Sequence, residues 1–64
     1  MKRLSWRALN DKLPMLTELE VRELLDSERS TNRRASHLLR LHQRYCALRD
    51  AREREEVLND ARYP

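Results

Sequence analysis

Residues 30–48 carry Arg33, Arg34, Arg40, Arg44, His37 and His42, and no acidic residue. Side chains of these types can follow the phosphates of a nucleic acid, hold a single anion, or bind a metal. Arg33, His37, Arg40 and Arg44 recur at helical spacing, so a helix would present them as one basic stripe able to follow a phosphate backbone. Arg33 and Arg34 fall at the predicted start of that helix, where free N–H groups and the dipole favour an anion and disfavour arginine. A bound phosphate, an acidic partner or the acidic segment just upstream would relieve that conflict. His42 and Cys46 stand at i, i+4, as two metal ligands on a helix face can. A structural zinc needs four ligands. One chain offers two, or three with His37, which belongs to the other face, so neither a metal nor any other cofactor is expected.

The helix that must position these groups is predicted over residues 32–58. On a helical wheel Ala35, Leu38, Leu39, Leu41, His42, Tyr45, Cys46 and Leu48 share one broad apolar arc, wide enough to meet more than one neighbour. Beyond Leu48 the pattern fails, because Arg49, Arg52, Glu53 and Glu56 occupy the core positions. Opposite charges at i, i+4 (Arg49 and Glu53, Asp50 and Arg54, Arg52 and Glu56) suit a solvated extension. The extension could instead pair with another copy through Ala47, Ala51 and Leu58.

Upstream, "LTELEV" places Thr17 and Glu20 as a capping box and Leu16 and Val21 as a hydrophobic staple, which predicts a helix over residues 18–29. Val21, Leu24 and Leu25 form its apolar face. "DSERSTN" then collects residues that compete with helix and can cap a new one, so a turn is expected at residues 30–32. With no glycine to force that break, one continuous helix over 18–58 is the alternative. It would run about 60 Å and could pack only against another chain. Near the start, Ser5 can cap a short helix with Trp6, Leu9 and Leu13 on one face, ended by Pro14. So short a helix needs a body to dock on, and Trp6 is expected to serve as its lid.

Composition sets the fold class. The 64 residues hold no glycine, twelve leucines and only four β-branched residues (Thr17, Val21, Thr31, Val57). That favours helices over sheets and excludes Gly-rich phosphate loops. Chains of this size bury only about 60% of their unfolded surface, so a staple or a second subunit is expected. The single cysteine excludes an internal disulfide and suits a reducing compartment. The opening MKRLSW has the charge of a signal peptide, but Arg7, Asn10, Asp11 and Lys12 interrupt any apolar run, so neither a signal nor a membrane span is expected.

The net charge of +3 is distributed in blocks. Residues 1–13 carry Lys2, Arg3, Arg7 and Lys12 against Asp11; residues 18–29 carry five acids against Arg22 and Arg29; residues 49–64 carry four arginines against five acids. Such blocks can neutralise one another. Catalysis is not expected: a small helical hairpin builds no water-excluding cleft, and its carboxylates fall on solvated faces.

"NRRASHLLR" matches the N-x-x-A-x-x-x-x-R pattern of bZIP basic regions at Asn32, Ala35 and Arg40. It departs where Leu38, Leu39 and Leu41 replace polar residues and where no leucine heptad follows. Taken whole, "LTELEVRELLDSERSTNRRASHLLRLHQRYCALRDAREREEVL" (residues 16–58) resembles the small helical proteins of temperate-phage accessory early regions, of the lambdoid exo–xis type. The resemblance implies a small helical protein, made early in infection, that acts on host or phage regulators. It carries over no catalytic or binding residue.

The expectation is thus one all-α domain: an arm with a short helix (1–14), a helix (18–29) and a long helix (32–58) paired as a hairpin, and a tail (59–64). It should form a homodimer and work in the cytoplasm as a regulatory protein-interaction module on a host or phage protein. Leu38, Leu41, Tyr45 and Leu48 would serve as anchors, with no small-molecule substrate and no membrane. The alternative is a small dimeric DNA- or RNA-binding regulator using Arg33, Arg34, Arg40 and Arg44 on phosphates.

Overall fold

A computed structural model describes residues 4–62. The ends of the predicted arm (residues 1–3) and tail (residues 63–64) lie outside the described residues. The chain is all-α, and the described residues contain no strand. Helix α1 spans Trp6–Lys12 and passes through a 3-10 turn, Leu13–Met15, to α2 (Glu18–Ser30) and then α3 (Ala35–Arg62).

Each start has a local cause. Ser5 Oγ accepts from Ala8 N–H at 3.1 Å and caps α1. At α2 both halves of the capping box form: Glu20 N–H donates to Thr17 Oγ1 at 3.2 Å, and Thr17 N–H donates to Glu20 Oε1 at 3.0 Å. These bonds hold the Glu20 carboxyl below its ordinary pKa. Leu16 packs against the core that contains Val21, as a staple should.

The break between α2 and α3 is made without glycine. Ser30 Oγ donates to Asp26 O at 3.0 Å, and Thr31 Oγ1 to Ser27 O at 2.7 Å. Glu28 O accepts from Arg33 N–H at 2.9 Å, and Arg29 O from Arg33 Nε at 3.0 Å. The last carbonyls of α2 are therefore satisfied by the residues of the turn itself. Ser30 and Thr31, in the stretch expected to cap the next helix, close the previous one. The long helix starts at Ala35 where 32 was expected, because Arg33 must first turn left-handed, with φ 50°.

A Cβ in that region costs about 1 kcal/mol that glycine avoids. Arg33→Gly is therefore expected to stabilise the fold by about 1 kcal/mol, offset slightly by the lost exposed bond to Arg29. Tm should rise by about 4–8 °C, the usual shift for a domain of this size. A fall in Tm would mean that the arginine contact outweighs the backbone strain.

α2 and α3 lie side by side and run in opposite directions: Glu28 meets Arg34 at one end, and Glu18 meets Arg52 towards the other. α1 runs along the same part of α3, with Leu4 reaching Arg34 and Asn10 reaching Arg40. The core is small. Leu9, Leu13, Val21 and Leu41 are fully buried, with Leu16, Leu24, Leu25, Tyr45 and Leu48 packed partly against them. Residues 49–62 of α3 are all exposed, and past the Arg52–Glu18 pair they continue beyond this body. They make the molecule 47 Å long and only 21 by 18 Å across. No helix among the described residues is long and apolar enough to cross a membrane.

Candidate interaction surfaces

The inward stripe of α3 runs through His37, Leu41, Tyr45 and Leu48, spaced i, i+4, i+8 and i+11. Because α1 packs on one flank and α2 on the other, that stripe sits to one side of the apolar arc drawn by the wheel. Two expectations change as a result. His37, placed on the outward basic stripe, is only 6% exposed, its ring meeting Trp6 edge-on at 5.6 Å and 70°. Leu39, placed on the inward face, is 71% exposed. Trp6 is likewise not the lid of the core: Leu9 and Leu13 fill that place, and Trp6 remains 49% exposed.

Of the expected anchors, one lies fully in the protein's own interior. Leu41 is buried, and Tyr45 and Leu48 lean on the core. Leu38 is half-buried.

The four arginines go to different tasks. Arg34 is a clasp. Its Nη2 and Nε donate to Glu28 Oε1 and Oε2 at 2.8 and 2.9 Å, and its backbone N–H donates to Oε2 at 3.0 Å. Its Nη1 reaches Leu4 O at 2.6 Å. One side chain therefore joins the lead-in to α1, the end of α2 and the start of α3. Arg34 holds the Glu28 carboxyl at a pKa of about 2, against the burial that would raise it. Glu28 in turn supplies the negative charge that the N-terminus of α3 favours. For Arg34, the acidic helix upstream relieves its place at that helix start.

Arg40 donates to Asn10 Oδ1 at 2.9 Å and to Gln43 Oε1 at 3.2 Å, which ties α3 to α1. Arg44 is half-buried, and its Nε is buried without a hydrogen-bond partner, as is His37 Nε2. Arg33 is exposed and caps α2. The four guanidiniums do not form one open stripe.

His42 and Cys46 do come together, with Cys46 Sγ 3.5 Å from His42 Nε2, and both are exposed. Among the described residues no group of three His, Cys, Asp or Glu side chains is placed to hold a metal.

Two surfaces emerge that sequence reasoning missed. One is a shallow apolar face where Trp6 of α1 meets Leu39, His42 and Cys46 of α3, with Arg40 and Gln43 on its rim. Its only signal in the sequence is the excess of apolar residues on α3 over what one neighbour can cover. The other is a groove between α2 and α3 where Arg22 and Arg29 stand opposite His42, Tyr45, Arg49 and Arg52. Nothing in the sequence flags Arg22 and Arg29, which sit in its most acidic block. Both surfaces are open and suited to docking another molecule. No protein-family model, curated protein or solved structure matches this chain.

Proposed function

We propose that this protein is a non-catalytic regulatory interaction module, working in the cytoplasm on a protein of the host or phage that its resemblance to early-region phage proteins implies. The observation that supports it is the exposed face of Trp6, Leu39 and Cys46. A tryptophan and a leucine standing together in the open, while other leucines fill the core, are the kind of anchor that docking surfaces use. The face is carried by α1 and α3, which the Arg40–Asn10 hydrogen bond ties together.

Self-association belongs to the same reading, through a different region. Val57 and Leu58 are exposed on the uncovered part of α3. A helical segment with no tertiary cover is marginal in water, and a core of four fully buried residues has little stability to lend it. Pairing two such extensions would bury Val57 and Leu58 and leave a docking face free on each copy.

Sedimentation equilibrium tests the pairing. The wild type should dimerise in the micromolar range, and Val57→Asp/Leu58→Asp should be monomeric with an unchanged body. Docking is read separately, by comparing immobilised wild type with Leu39→Asp. A protein retained by the first and lost by the second should, once purified, shift the emission of Trp6, the only tryptophan, to the blue. Equal retention by both would remove the Trp6–Leu39 face from the reading.

A further inference from the structure

We infer that the groove between α2 and α3 binds single-stranded nucleic acid, a second activity on a surface that shares only His42 with the Trp6–Leu39 face. The groove holds about 570 Å³, and its lining sets four guanidiniums and an imidazole against a single carboxylate, Asp26. Sequence blocks hide this charge, because Arg22 and Arg29 belong to a segment rich in acids. Folding separates them: Glu18, Glu20 and Glu23 do not line the groove, whereas Arg22 and Arg29 do.

The guanidiniums divide into two kinds. Arg52 is braced by Glu18 at 2.9 Å and Glu56 at 2.8 Å, and Arg49 by Glu53 at 2.6 Å. Those carboxylates lie outside the lining, and they fix the two arginines at the groove's end while neutralising much of their charge. Arg22 and Arg29 have no carboxylate within ion-pair distance among the described residues, not even Asp26. They are the free cations. Seven residues apart, they stand about 10 Å from each other along the helix, or about three nucleotide steps at the stacked rise of ~3.4 Å per strand.

Tyr45 distinguishes the ligand. It lies half-buried on α3, across the groove from the helix that carries both cations, leaning on the core and lining the groove. An aromatic ring in a basic channel is a stacking platform for an unpaired base. A duplex presents base edges and phosphates, never base faces, and packed helices only 8–10 Å apart leave a channel too narrow for it. An acidic peptide would use the arginines and leave Tyr45 without a role. Arg33, Arg40 and Arg44 take no part, since each is engaged or turned elsewhere.

The test is fluorescence anisotropy with a labelled thymidine decamer and a duplex of the same length, at about 50 and 200 mM salt. The wild type should bind the single strand in the micromolar range at low salt. Arg22→Ala/Arg29→Ala, both on the exposed side of α2, should weaken it at least tenfold. They should also reduce the salt slope by about 1.4, two contacts at about 0.7 each. Arg54→Ala/Arg62→Ala removes the same charge outside the groove and should change affinity less than twofold. Tyr45→Leu keeps most of the packing and should cost about tenfold. Circular dichroism confirms that each variant is folded.

Equal weakening by the two arginine pairs would reduce the binding to diffuse net charge and overturn the site. So would tighter binding of the duplex, or no binding at low salt. Leu39→Asp should leave the titration unchanged, so failure of the groove and failure of the docking face are told apart.

Discussion

Leu41→Asp is expected to abolish the folded state. Leu41 is 2% exposed and meets Leu9, Leu13 and Val21, so it is where α1, the 3-10 turn, α2 and α3 converge. Truncating a buried leucine to alanine already costs about 2–5 kcal/mol. Aspartate adds a charge with no partner in that cluster, at several kcal/mol more, or else the expense of protonating it. Against this stands a total stability of roughly 3–10 kcal/mol for a 64-residue domain. The sum exceeds the whole. Far-UV circular dichroism should show lost helicity at 25 °C and no cooperative urea transition. Leu39→Asp, two residues away and 71% exposed, should stay within about 0.5 kcal/mol of wild type. If Leu41→Asp kept its helices and lost only self-association, Leu41 would be an interface residue, as the wheel alone suggested.

That contrast marks what could be read from the sequence. Helix starts were legible wherever the signal is local: Ser5 before Trp6, and Thr17 with Glu20, need only their own neighbours to form their bonds. The all-α class follows from absent glycine and abundant leucine. The facing of α3 was not legible. Its apolar arc is broader than one contact, and the inward direction is decided by two helices packing on different flanks. That choice buries His37 and leaves Leu39 outside. The fates of the arginines are tertiary as well. Arg34 and Arg40 are both expected to face phosphates, yet they meet Glu28 and Asn10, partners six and thirty residues away. The groove pairing Arg22 with Arg49 and Tyr45 exists only once α2 lies against α3.

Glu28→Ala should be nearly as damaging as a core lesion, although it removes a charged residue. Glu28 accepts three hydrogen bonds from Arg34, and the Glu28 and Arg34 side chains are only 8% and 19% exposed. Removing one partner of such a pair leaves the other charge poorly solvated, at about 3 kcal/mol. Here that charge would also sit at the N-terminus of α3, where the dipole opposes it. A urea melt should show the midpoint falling by a third or more.

The same clasp sets a dependence on pH. The folded protein holds Glu28 ionised down to about 2, whereas an unfolded glutamate takes up its proton near ~4.3. Between those values the unfolded chain binds more protons, so stability falls as pH drops through that window. Above it the contribution is complete. Glu28→Gln should therefore be less stable than wild type at pH 6, and the gap should narrow steadily towards pH 2. Glu20, also held below its ordinary value, contributes equally to both proteins and cancels in the difference.

The structural route of that loss is specific. Arg34 Nη1 also holds Leu4 O, so a freed Arg34 releases the lead-in to α1, and α1 carries Trp6. In Glu28→Ala, acrylamide quenching of Trp6 should rise at urea concentrations where α2 and α3 still show helical dichroism. Coincident transitions would mean instead that α1 melts only with the whole fold. Arg34 would then join α2 to α3 without tethering α1.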